Sequence, residues 1–113
     1  MNRGDVYQAE LSSTQGSEQS GTRPVIIVSR DALNAVSTVV IVVPVTVREN
    51  KKRIYPSQFE IGADDGGLIK DSVALCEQTR AISKTRLKKR LGQLSNRTMA
   101  LLNSTLKITL DLP

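Results

Sequence analysis

The sequence predicts a mainly β fold, a small antiparallel barrel finished by a single C-terminal helix. Three observations carry this. Short runs rich in Val, Ile and Thr recur along the chain, separated by turns bearing Gly, Pro and Ser. Two of those runs, residues 24–29 and 38–45, are apolar almost throughout, as buried strands are. Near the end, Met99, Leu102, Leu106 and Leu110 recur at helical spacing, and Leu101 and Ile108 widen the stripe. A chain of 113 residues is one domain's worth, enough for a single core without disulfides or metal.

In order, Arg3-Gly4-Asp5 reads as a turn, and residues 6–11 alternate as a first strand. Residues 12–22 form a loop of Ser, Gly and Thr, long for a hairpin connection, and ordered loops of that length are often functional. Residues 24–29 are the second strand. Asp31 is expected to cap a helical turn through Ala32, Leu33 and Asn34. Residues 38–45 are a central strand, in which Pro44 implies a bulge or the strand end. Residues 49–56 are a basic loop, 58–61 a short strand and 62–67 a turn. The Gly66-Gly67 pair lacks the lysine and the spacing of a phosphate-binding P-loop. Residues 72–76 and 79–82 are strand-like, with Glu77 and Gln78 between them. Ser83 can cap a turn through Lys84, Thr85 and Arg86. Residues 91–94 either finish a helix at Gly92 or form a last strand. Ser95 caps the C-terminal helix.

Sixteen Lys and Arg against eleven Asp and Glu give a formal charge of +5, which favours an anionic partner. Residues 78–110 contain no acid and carry Arg80, Lys84, Arg86, Lys88, Lys89, Arg90, Arg97 and Lys107. A second basic cluster is Arg48, Lys51, Lys52 and Arg53. Such clustering fits a phosphate-tracking surface as readily as a solvated face. The absence of histidine excludes His-based metal sites and Ser-His-Asp triads. No carboxylate or cysteine cluster has metal-ligand spacing, so neither metal nor cofactor is expected. The single cysteine, Cys76, reads as a small core residue in a reducing cytosol. Arg3, Asp5 and Glu10 interrupt the N-terminus, so no signal peptide is expected, and the apolar run 39–45 is too short to span a membrane. A cytoplasmic location follows as an expectation.

Two residues stand at strand ends. Arg23 sits where loop becomes strand, and Pro24 fixes its own φ while pushing Arg23 towards an extended conformation. A pre-oriented guanidinium suits a phosphate. Thr46 sits at the exit of the buried central strand. Taken alone, the first could be a surface arginine and the second an ordinary strand threonine.

The runs RGDVYQAEL at 3–11, GSEQSGTRPVIIVS at 16–29, IVVPVT at 41–46 and DSVALCEQTRAISKTRL at 71–87, with the C-terminal helix, resemble the MazF/PemK family of toxin endoribonucleases. The resemblance spans almost the whole chain. It implies an SH3-like, CcdB-like barrel that forms a homodimer and cleaves single-stranded RNA without metal. It implies a cognate antitoxin, which the basic charge here suggests is acidic. It implies a catalytic pair at Arg23 and Thr46, a mobile loop over the cleft carrying Ser17, Glu18 and Gln19, and Gln78 lining the same groove. Thr79 stands where many relatives carry an aliphatic residue, and loop 49–56 is a variable region, so no base preference is carried over.

The chemistry expected is attack of an RNA 2′-hydroxyl on the adjacent phosphate. Arg23 would supply permanent charge and a fork of donors, Thr46 a small hydroxyl stiffened by β-branching. Glu18, the loop's carboxylate, would help with the proton or position Arg23. Arg80, Lys51, Lys52, Lys88 and Lys89 would contact phosphates. Few aromatics, Tyr7, Tyr55 and Phe59, are available for base stacking. The alternatives are a CcdB-like inhibitor of gyrase with no chemistry of its own, and a non-catalytic RNA-binding barrel.

Overall fold

The computed structural model describes residues 1–12, 15–16 and 18–113. Strands β1 (Asp5–Glu10) and β2 (Thr22–Ile27) precede helix α1 (Asp31–Val36) and the nine-residue strand β3 (Val39–Val47). Strands β4 (Gln58–Ile61), β5 (Ser72–Leu75), β6 (Arg80–Ser83) and β7 (Leu87–Gln93) follow, then helix α2 (Asn96–Leu110). They form one seven-stranded sheet in the order β4-β5-β3-β2-β1-β7, with β6 on β3. Every pairing is antiparallel.

β3 is the central element because both its edges are occupied. One edge pairs with β2. The other pairs first with β6, through Val39 to Val42, and then with β5, through Val45 to Val47. Pro44 lies between those two ladders, where that edge changes partner. A residue without an N–H is tolerated there, so the strand runs on to Val47 instead of ending or bulging at Pro44.

Two apolar clusters explain the composition of β2 and β3. On the inner face Val6, Ile26, Val43, Val45, Phe59 and Ala74 pack under Leu102 of α2. On the outer face Ala9, Val25, Ile27, Val40, Val42 and Ile82 form a second cluster with Leu11. β2 and β3 thus contribute to both, and an unbroken apolar run is what two buried faces require. Burying one such side chain fully contributes about 1.5–3 kcal/mol.

The two ends of the sheet meet by packing. Gly66 and Gly67, in the turn joining β4 to β5, adopt φ of 67° and 76°, and the turn lies against β7. A Cβ on Gly67 would stand 2.0 Å from the Leu91 carbonyl oxygen. The glycine pair is therefore a close-approach device that gives the open sheet its barrel-like curl.

Residues 91–94 resolve as the end of β7, the strand alternative. Ser83 caps the 3-10 turn Lys84–Arg86 as its position suggests, its Oγ accepting from the Thr85 N–H. Asp31 does not cap α1. Its carboxylate accepts the backbone N–H of Arg3 at 2.6 Å, and Arg30 occupies the cap position without a side-chain bond. Arg3 also donates to the Val28 carbonyl and to Asn103 of α2, so the Arg3-Gly4-Asp5 turn fastens β2 and both helices together.

α2 begins where the sequence places it, with Ser95 Oγ accepting from the Thr98 N–H. Asp65 reinforces the cap by accepting the Ser95 N–H at 2.8 Å, its Oγ–H at 3.0 Å and the Thr98 hydroxyl. Met99, Leu102 and Leu106 pack inward. Leu101, Ile108 and Leu110 remain exposed.

Burial pushes the Asp65 carboxyl up, but the hydrogen bonds from Thr98, Ser95 and Gly66 outweigh it and hold the group below its ordinary value. A carboxylate with a depressed folded pKa stabilises above its unfolded pKa and loses that contribution as pH falls through the folded one. Asp65→Ala is expected to cost on the order of 1–2 kcal/mol near neutral pH, after allowance for solvent screening. Thermal unfolding of both proteins should show the gap narrowing below about pH 4.

Candidate active site

The pairing of β2 with β3 brings the site together. Val25 is opposite Pro44, so two residues further along the antiparallel register Arg23 comes level with Thr46. Opposed residues share a face, here the outer one that carries Val25 and Val42. An arginine at a strand entrance and a threonine at the neighbouring strand's exit thereby become neighbours. Both line a cavity of about 590 Å³ together with Gln19, Lys51, Tyr55, Gln58, Glu77 and Gln78. Thr46 is buried and Arg23 half-buried. Arg23 Nε donates to the Ser20 carbonyl at 3.1 Å, which ties one of its five donors to the loop above.

The 3-10 turn Cys76–Gln78 holds the walls. Gln58 Nε2 donates to Glu77 at 2.6 Å and Ser57 Oγ donates to it at 3.2 Å. Gln78 Oε1 accepts the Gln19 N–H at 2.7 Å and so fastens the β1–β2 loop over the pocket. Thr79 closes the turn, its Oγ1–H and N–H both donating to the Cys76 carbonyl. The Thr79 hydroxyl thus stabilises the turn, and β6 begins one residue later than expected, at Arg80. Burial, and then the Glu77 carboxylate, push the Cys76 thiol up to about 12. It stays protonated and buried, as a core residue does.

Not every residue singled out in the sequence reaches this pocket. Glu18 and Arg80 line a neighbouring recess that shares Gln19, Glu77 and Gln78 with it. Ser17 lies outside the described residues. Lys51 lines the pocket, while Lys52 is exposed on the same loop and does not. Lys88 and Lys89 line a separate cleft of about 530 Å³, with Gln8, Pro24, Leu68 and Leu91. Pro24 lies one residue from Arg23, so its side chain is on the opposite face of β2. Of the second basic cluster, Arg48 is engaged in structure: it pairs with Glu60 and donates to the Lys51 carbonyl at 2.6 Å.

Sequence reasoning missed Glu77 and Gln58. The signal for Glu77 was its place beside Gln78. Gln58 gave none, since its partner is 19 residues away. Among the described residues no three His, Cys, Asp or Glu side chains group as metal ligands. No helix there is long and apolar enough to cross a membrane. What the pocket offers is a guanidinium beside a buried hydroxyl, a lysine at the rim, and a carboxylate already accepting two hydrogen bonds.

A family model described as PemK-like, MazF-like toxin of type II toxin-antitoxin system matches residues 2–110. The Endoribonuclease MazF of Staphylococcus saprophyticus is 48% identical over 112 residues, 99% of this chain and 92% of the relative. A mycobacterial endoribonuclease solved in complex with its cognate antitoxin superposes with a TM-score of 0.82 at 27% identity, covering 100% of this chain and 97% of that one. MazF from Deinococcus radiodurans, 23% identical, shares the fold with a TM-score of 0.81 over 98% and 96% of the two chains.

The clamp on the β1–β2 loop is testable without substrate. Gln78→Leu keeps the bulk and removes the acceptor for the Gln19 N–H. Hydrogen exchange followed by NMR should show the Gln19 amide losing about ten-fold or more in protection, while β3 amides are unchanged. Unaltered protection at Gln19 would show that the loop is held by other contacts.

Proposed function

The chain belongs to the PemK-like, MazF-like family of toxins of type II toxin–antitoxin systems, and we propose that it cuts single-stranded RNA at the pocket holding Arg23 and Thr46. Its endoribonuclease reading rests on near-full-length similarity to a MazF endoribonuclease. The observation that supports this site is the β2–β3 register, which sets a permanent cation beside a buried hydroxyl.

In the proposed reaction the RNA 2′-oxygen attacks the adjacent phosphorus. A 2′-O–P bond forms, the P–O5′ bond breaks, and the products carry a 2′,3′-cyclic phosphate and a 5′-hydroxyl. The 2′-hydroxyl loses a proton and the leaving 5′-oxygen gains one. Arg23 stabilises negative charge growing on the phosphate oxygens, where a fork of donors is most effective. Thr46 donates its hydroxyl to the same group. A guanidinium stays charged and makes a poor base. We assign the 2′ proton to Glu18, whose recess adjoins the pocket and shares Gln19, Glu77 and Gln78 with it. Lys51 neutralises a flanking phosphate. A gyrase inhibitor acting by protein contact alone has no need of the Arg23–Thr46 pairing.

The mycobacterial relative was solved with its antitoxin. For this chain we propose an acidic antitoxin segment that folds onto the basic pocket and excludes RNA. We also propose a homodimer. Val36 of α1 is 83% exposed, and Val39 and Ile41 of β3 stand beside it in sequence with much of their apolar surface open. A specific two-fold contact over this face needs roughly 1,000 Å² or more in total.

Mixed-sequence single-stranded RNA incubated with the protein in EDTA should be cut, leaving cyclic phosphate and 5′-hydroxyl ends. Activity lost in EDTA and restored by magnesium, or 5′-phosphate products, would sink the mechanism. Under single-turnover conditions Arg23→Ala should lose about a hundred-fold or more in rate with RNA affinity largely kept. Thr46→Ala should lose less. If Arg23→Ala only weakens binding and cuts normally at saturation, Arg23 is a docking residue.

Sedimentation equilibrium at micromolar concentration should show a dimer, and Ile41→Arg should convert it to monomer. A monomeric wild type contradicts the dimer itself. A dimer that survives Ile41→Arg moves the interface elsewhere.

A further inference from the structure

The catalytic pocket has an aromatic wall. The chain contains two tyrosines, one phenylalanine and no tryptophan. Tyr7 packs against the outer apolar cluster and Phe59 lies in the inner one. Tyr55 is different: its side chain lines the pocket of Arg23 and Thr46 and is 48% exposed.

Its backbone is held in place. The Gln58 N–H donates to the Tyr55 carbonyl at 2.9 Å, closing a turn with Pro56 at its second position. Pro56 also restricts Tyr55 itself to extended conformations. Gln58 Oε1 accepts the Tyr55 N–H at 3.3 Å, and its Nε2 is fixed by Glu77. The ring therefore stands on a turn anchored to the sheet floor and to the 3-10 turn Cys76–Gln78. Lys51 Nζ and the Arg53 guanidinium lie 5.6 and 5.3 Å from the ring centroid. At an exposed site such cation–π contacts are weaker than stacking of a base on the ring. Both cations sit on long side chains that can turn to the phosphates on either side of a stacked base.

We propose that Tyr55 is the stacking platform for one nucleobase flanking the scissile phosphate, with Lys51 and Arg53 taking the phosphates beside that base. An unstacked single strand presents such a base, and stacking holds it with little regard to its identity. The platform thus fixes where along the strand Arg23 and Thr46 engage. The proposal rests on the RNA-cleaving reading above.

The test begins by mapping where the wild-type protein cuts mixed-sequence RNA. A short RNA spanning that site is then made uncleavable by 2′-deoxyribose at the nucleotide whose 2′-oxygen attacks, with 2-aminopurine placed at each flanking position in turn. With no tryptophan in the chain, the probe is excited clear of the protein. Its emission should be quenched at one position on wild-type protein, not on Tyr55→Leu, and again on Tyr55→Phe. In cleavage of normal RNA, Tyr55→Leu should raise KM about ten-fold or more with the saturated rate changed by about two-fold at most. Tyr55→Phe should restore most of the loss, and melting temperatures should establish that both variants are folded. Equal quenching and KM in Tyr55→Leu and wild type overturn the proposal, as does loss that Tyr55→Phe fails to restore. If Tyr55→Leu leaves RNA unaffected but weakens antitoxin binding, the ring belongs to a protein interface and the proposal is again overturned. Failure of wild-type protein to cut any RNA removes the functional reading as well, and the two failures are distinct.

Discussion

The register between β2 and β3 is the constraint on which the rest of the molecule depends. A slip of one residue would turn Arg23 to the inner face and Pro24 to the outer. In most half-buried strands the alternation of apolar and polar residues prevents this. Here it cannot, because β2 and β3 are buried on both faces by two separate clusters. Two other features resist the slip. Pro44 has no N–H to donate, and the observed register puts it where β3 exchanges β6 for β5. Moving Arg23 inward would also place a guanidinium among the apolar side chains of Val6, Ile26 and Val43.

The 3-10 turn Cys76–Gln78 converts that register into a cavity. The turn is anchored by the buried Cys76 side chain and by its N–H, which donates to the Ser57 carbonyl at 3.0 Å. From this fixed point Glu77 reaches β4 and Gln78 reaches the β1–β2 loop, so one three-residue element sets two walls. The Glu77 carboxylate and the Gln78 side-chain carbonyl both accept hydrogen bonds, which limits the cost of holding them at the site. The arrangement also separates functions within one short motif. Glu77 and Gln78 hold the frame, and Arg23 and Thr46, carried by the strands, line the cavity it encloses.

Much of the fold was legible because its signals are local. β-branched runs marked the strands, and Ser95 with its period of leucines marked α2. Readings failed where a distant partner decided the outcome. Asp31 looks like a helix cap until the Arg3 backbone takes its carboxylate, and Pro44 looks like a strand end until β5 and β6 are known to meet there. The site followed the same division. Arg23 and Thr46 were visible as strand-end residues, but nothing near Gln58 points to Glu77. The resemblance supplied Gln78 and set Glu18 on the loop over the cleft, but in the folded chain Glu18 lines the neighbouring recess with Arg80.

Charge was the signal most altered by folding. The acid-free segment 78–110 looks in sequence like one continuous cationic surface. In the folded chain Arg90 pairs with Asp5 at 3.2 Å, Arg86 donates to the Glu10 carbonyl, and Lys84 donates to the Asn34 carbonyl. Those cations close the structure, as Arg3 and Arg48 do elsewhere. Lys88 and Lys89 border a cleft apart from Arg23. Net charge therefore overstates the surface available to a phosphate backbone near the chemistry. Around the pocket the cations are Arg23 and Lys51, with Arg53 over Tyr55. Glu77 is the acid among its lining residues, and it is held by neutral donors. Few cations around a polar cavity, against an aromatic ring, favour a single strand gripped at one or two nucleotides. A duplex tracked along its length would need a broader basic face than these residues make.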